Sequence, residues 1–138
     1  MKEDNIMRIL IAEDDLASRK FLSKFLSTYG ECDITINGME ALEAFLMAWD
    51  EEEPYDLVCL DIMMPELDGI KALRTMRDIE DQKGVEESKR VKIIMTTALN
   101  DTDSVFSALE NGCEVYAAKP IDTKKLVEVM KRLNLIQS

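Results

Sequence analysis

The chain has 138 residues, of which 28 are Asp or Glu and 17 are Lys or Arg, giving a formal net charge of −11. That balance argues against general nucleic-acid binding, which needs clustered cations for phosphates. The length suits one domain with an ordinary core, expected to span 1–138 with its packed part at about 6–134. There is no histidine, so catalysis, metal ligation and phosphorylation on His are all excluded on this chain. No apolar run reaches membrane-spanning length, and the acidic start Met1-Lys2-Glu3-Asp4-Asn5 does not read as a signal peptide. Cys32, Cys59 and Cys113 are odd in number and unpaired by motif, as expected of reduced thiols in a cytoplasmic protein.

Short apolar runs alternate with longer amphipathic ones, which predicts βαβ units and a parallel sheet. Ile6 to Ala12 reads as the first strand and ends in Glu13-Asp14-Asp15. A helix follows to about Tyr29, with Leu22, Phe25, Leu26 and Tyr29 on one face and Gly30 as its stop. Cys32 to Ile36 reads as a second strand, and Asn37-Gly38 opens a helix carrying Leu42, Phe45, Leu46 and Trp49. The acidic run Asp50 to Glu53, expected as solvated loop, and then Pro54 close it. Leu57 to Leu60 is apolar and finishes on Asp61, with Pro65 and Gly69 behind it. A buried strand has no reason to end on a carboxylate unless one is needed at the sheet edge. A helix-capping role for Asp61 fits poorly, because the next helix starts near Asp68.

That helix carries Ile70, Leu73 and Met76 and passes into the polar segment Asp78 to Arg90, expected as a helix end plus an exposed loop. Val91 to Met95 reads as a fourth strand, followed by Thr96-Thr97-Ala98. Asp101 or Thr102 caps a short helix ended by Gly112; Val115 to Ala117 lie in a fifth strand, and Lys119-Pro120 follows. Asp122 caps a last helix bearing Leu126, Val129, Met130 and Leu133. Five such units make an α/β, (βα)5 doubly wound sheet, and in the order 2-1-3-4-5 the crevice beyond strands one and three is the binding position. Glu13, Asp14, Asp15, Asp61, Thr97 and Lys119 all fall at that edge. Two carboxylates about 4 Å apart repel by roughly 4 kcal/mol at an intermediate dielectric, so the cluster calls for a hard divalent cation such as Mg²⁺. A carboxylate nucleophile, a metal, a cation and a hydroxyl are the parts of phosphoryl transfer onto Asp.

Glu13-Asp14-Asp15, Asp61-Ile62-Met63-Met64-Pro65 with Asp68-Gly69, Thr97-Ala98 and Lys119-Pro120, each after an apolar strand, together resemble the receiver domain of two-component response regulators, whose fold is flavodoxin- and CheY-like. The resemblance runs from Met7 to about Leu133. It implies that Asp61 accepts a phosphoryl group from the phosphohistidine of a sensor histidine kinase or a histidine phosphotransfer protein. It further implies that Asp14, Asp15, Asp61 and the backbone carbonyl of Met63 hold Mg²⁺, and that Lys119, Thr97 and Ala98 serve the phosphoryl group. Thr97 and Tyr116 would form the switch, and Pro120 would follow Lys119 through a cis bond. Tyr116 could instead simply pack, and Thr96 competes with Thr97 for the hydroxyl role, since alternation lets only one face the site.

The resemblance also implies output through a protein target on the surface of the fourth helix, fifth strand and fifth helix, without direct nucleic-acid contact or membrane insertion, from a monomer or weak dimer. The chain ends soon after the last helix, so no output domain is expected, and no enzyme activity beyond its own phosphoryl transfer and self-dephosphorylation. Met63 and Leu99 depart from the family by being apolar where side chains influence water access, which predicts slow self-dephosphorylation. A phosphohydrolase of the haloacid-dehalogenase kind would want a second Asp where Met63 stands. A toprim-like enzyme would want a DxD after the third strand, and a flavodoxin a Ser/Thr/Gly-rich loop after the first. A non-phosphorylated interaction module is the remaining alternative.

Overall fold

The computed structural model describes residues 6–64, 66–97 and 102–137. Its elements run β1 (Met7–Ala12), α1 (Leu16–Leu26), β2 (Gly30–Thr35), α2 (Gly38–Asp50), β3 (Leu57–Asp61), α3 (Gly69–Gln82), β4 (Lys92–Thr97), α4 (Thr102–Glu110), β5 (Val115–Ala118) and α5 (Thr123–Arg132). The five strands are all parallel, in the order β2-β1-β3-β4-β5. This is the doubly wound sheet that the alternation of runs predicts.

The central strands are apolar through their middles because helices cover both faces. Ile9, Ile11, Leu57, Cys59 and Ile94 point to one face, where Leu22 and Leu26 of α1 and Leu126 and Met130 of α5 close over them. The alternate residues Leu10, Ala12, Val58, Leu60, Ile93 and Met95 meet Phe45 of α2, Leu73 and Met76 of α3 and Ala108 of α4 on the other. Carboxylate and amide side chains start the helices: Asp15, Asn37, Asp68 and Asp122 each accept a backbone N–H from the first turn. Asp101, the other cap expected for α4, lies outside the described residues.

Two expectations need correcting. Gly30 is the first residue of β2, paired with Met7, and not the stop of α1, which ends at Leu26. A Cβ there would lie 2.3 Å from the Met7 carbonyl oxygen, so close strand approach accounts for the glycine. The segment 78–90 is not simply solvated. α3 continues to Gln82 and buries Glu80 completely. Its carboxylate takes Arg77 Nη1 at 2.7 Å and the Val91 N–H at 2.8 Å. Arg77 also reaches Glu114, at 2.8 Å, and the carbonyls of Val91 and Gly112, while Glu114 accepts the Ile93 N–H. This network ties α3 to the entries of β4 and β5.

Removing one member of a buried ion pair typically costs about 3–5 kcal/mol, whereas an exposed pair contributes less than about 1. Glu80→Ala should therefore lower the urea-unfolding free energy by about 3–5 kcal/mol. Asp81→Ala, which breaks only the exposed bridge to Arg90, should stay within about 1 kcal/mol. Equal effects would contradict the network's role.

Candidate functional site

The site lies at the C-terminal edge of the sheet, and strand alternation builds it. Following Ile9 and Ile11, Glu13 leaves the end of β1 towards the α1/α5 face; following Leu57 and Cys59, so does Asp61 at the end of β3. Ile94 and Thr96 continue the pattern on β4, where Thr96 is the register partner of both Asp61 and Ala117. Lys119, two residues after Ala117, completes the set. Glu13 is fully buried and Asp61 is 4% exposed. Lys119 Nζ lies 2.7 Å from Glu13 Oε1 and donates to Asp61 Oδ2 at 3.0 Å. The other Asp61 oxygen accepts the Met63 N–H at 3.3 Å.

Backbone contacts fix the edge around these side chains. The Ile62 N–H donates to the Thr96 carbonyl at 3.0 Å, and the Lys119 N–H to the Thr97 carbonyl at 2.8 Å. Gly69 sits so close that a Cβ would lie 2.1 Å from the Asp61 carbonyl oxygen, which brings the start of α3 against the end of β3. The Lys119–Pro120 peptide is cis.

Two buried carboxylates share one ammonium, so charge is unbalanced. Burial, then the hydrogen bond and charge of Glu13, push the Asp61 carboxyl up to about 7, with Lys119 opposing. Burial works against the charge on Lys119, but its bonds to Glu13 and Asp61 prevail and raise its pKa. One carboxylate oxygen each from Glu13, Asp14 and Asp61 lies within 4.8 Å of the others. An all-oxygen donor set with excess negative charge fits a hard divalent cation.

Of the acids expected from sequence to gather here, one points elsewhere. Asp14 and Asp61 converge with Glu13, whereas the exposed Asp15 carboxylate turns to the start of α1 and accepts the Ser18 N–H at 2.9 Å, which holds its pKa below the ordinary range. The missed signal was the alternation itself, which carries Glu13 inward after Ile9 and Ile11. Met63 follows two residues after Asp61 in the loop and is 66% exposed. Thr97 is buried at the end of β4, on the face opposite Thr96, and Tyr116 on β5 is 45% exposed. Ala98 and Leu99, and Pro65 behind Asp61, lie outside the described residues.

With this geometry in hand, the comparisons with known proteins agree. The model of the response regulator receiver domain matches residues 9–131, and the chain belongs to that family. A transcriptional regulatory protein of Bacillus subtilis, YhcZ, is 33% identical over 122 residues, covering 88% of this chain and 52% of the relative. The regulatory protein AtoC of Escherichia coli is 36% identical over 134 residues, 96% of this chain and 26% of AtoC. The chain thus spans about half or less of the curated relatives it matches. Among solved structures, the receiver domain of the Saccharomyces cerevisiae response regulator Ssk1, in complex with the histidine phosphotransfer protein Ypd1, is similar at a TM-score of 0.80 and 28% identity, over 96% of this chain and 91% of that one. A CheY-like receiver from Methanospirillum hungatei gives 0.76 and 25%, over 94% and 95%.

A carboxyl raised from 3.8 to about 7 holds its proton more tightly in the folded state, so stability is lost as pH rises through that window. Asp61→Asn removes the loss. At pH 8 the variant should be more stable than the parent, and the gap should close towards pH 4. Urea unfolding across that range checks it; a pH-independent difference would contradict the burial account.

Proposed function

We propose that this chain is a phospho-accepting receiver in which Asp61 takes a phosphoryl group from the phosphohistidine of a sensor histidine kinase or histidine phosphotransfer protein. The observation that carries the reading is a buried Asp61 at the sheet edge, bridged by Lys119 and set beside Glu13 and Asp14. One Asp61 carboxylate oxygen attacks phosphorus, and the P–N bond to the donor imidazole breaks. The imidazole nitrogen leaves with the bond's electron pair and later gains a proton.

Glu13, Asp14 and Asp61 would hold Mg²⁺, with the Met63 carbonyl as a further ligand. Bound there, Mg²⁺ supplies charge neutralisation for the incoming phosphoryl oxygens. Lys119 turns from the carboxylate to a phosphoryl oxygen. The Thr97 hydroxyl and Tyr116 move inward, favouring a state that a protein target binds better. Support for the output surface lies in exposed Phe106 and Leu109 on α4 beside exposed Tyr116 on β5. The reaction is the chain's own modification and its slow reversal, not turnover of a separate substrate. A cytoplasmic setting fits the free thiols and the lack, among the described residues, of any helix long and apolar enough to cross a membrane.

Intact mass after incubation with a small acyl-phosphate donor and Mg²⁺ should show one added phosphoryl group, absent without Mg²⁺ and absent in Asp61→Asn. Followed over time, the adduct should persist longer in the parent than in Met63→Asn with Leu99→Glu. An adduct retained in Asp61→Asn would overturn the assignment of the acceptor, and equal lifetimes would overturn the role given to the two apolar positions.

A further inference from the structure

The sheet order puts β4 between β3 and β5, so the Lys119 side chain must cross β4 to reach Asp61 and Glu13. The residue beneath that crossing is Thr96, level with Asp61 on one side and Ala117 on the other. Thr96 is 2% exposed, and its Oγ1, shut off from solvent, has no hydrogen-bond partner among the described residues. Buried strand threonines need not be left so: Thr35 on β2 donates its hydroxyl to the Ile11 carbonyl at 2.9 Å. A stranded hydroxyl in a core destabilises, and a valine would fill the same volume without it. Neighbouring strands are about 4.8 Å apart and register partners on one face sit side by side, so the Thr96 and Asp61 side chains are neighbours.

The orphan donor stands where a new acceptor would appear. In this state Asp61 Oδ2 is covered by Lys119 and Oδ1 by the Met63 N–H. When Lys119 turns to the phosphoryl group, the acyl end of Asp61 loses its strongest donor. We propose that Thr96 is a positioning residue of the phosphorylated state, its hydroxyl donating to the Asp61 acyl-phosphate oxygen that Lys119 vacates. The proposal rests on the phospho-acceptor reading and adds to it a residue distinct from Thr97, which leaves β4 from the opposite face. A hydroxyl without a partner at rest and with one after phosphorylation shifts the equilibrium towards the modified state.

The test uses the full chain as parent, Thr96→Val and Thr96→Ser, with beryllofluoride plus Mg²⁺ as the phosphoryl mimic. Thermal unfolding is read with and without the mimic, and its affinity is read from amide shifts. Thr96→Val should melt higher than the parent without the mimic, bind beryllofluoride about tenfold more weakly, as loss of a hydrogen bond to a charged group implies, and gain less in Tm from it. Thr96→Ser, which keeps the hydroxyl, should bind as the parent does. Parental affinity and an equal Tm gain in Thr96→Val would overturn the proposal while leaving the phospho-acceptor reading intact. A parent that neither binds beryllofluoride nor accepts a phosphoryl group would overturn both.

Discussion

Two carboxylates buried beside a single ammonium are the constraint on which the rest of this molecule depends. Glu13 and Asp61 emerge from adjacent strands on the same face, and among the described residues Lys119 alone bridges them. Glu13 and Asp61 repel, and low exposure makes that repulsion count. A proton, a divalent cation or a rearrangement of Lys119 each relieves it. The edge is therefore held in a state that responds strongly to small changes in charge, which is what a phosphorylation switch requires.

The fold makes that charge imbalance mechanically consequential. The end of β4 holds both neighbours through its carbonyls, Thr96 to Ile62 behind Asp61 and Thr97 to the backbone of Lys119. A shift at Asp61 thus bears directly on β4 and, through Lys119, on β5, where Tyr116 is exposed. At the opposite end of the sheet, the Arg77–Glu80–Glu114 network fixes the entries of the same two strands. One end is anchored and the other is poised.

Much of this was legible in the sequence. The apolar run Leu57 to Leu60 ending on Asp61 marked both a buried strand and the edge of a site, and β3 ends there. The order of the acidic, threonine and lysine motifs, each after such a run, was enough to place the domain in its family. Choosing among adjacent residues of one type was harder. Glu13-Asp14-Asp15 offers three acids in a row; only alternation counted from Ile9 separates the buried Glu13 from the exposed helix cap Asp15. Thr96 and Thr97 pose the same problem, since β4 runs two residues beyond the Val91 to Met95 span that hydrophobicity suggests. Glu80 was hidden because a polar run does not reveal which carboxylate has a partly buried arginine waiting for it. Gly30 read as a helix stop because its strand neighbour, Met7, is distant in the chain.

The most direct measurement is a carbon-13 NMR titration of the Asp61 carboxyl in the metal-free chain, repeated in Glu13→Gln and with Mg²⁺. The account predicts a midpoint near 7, lowered when Glu13 loses its charge and lowered again when Mg²⁺ binds. A midpoint near 4, the ordinary carboxylate range, indifferent to both changes, would contradict it.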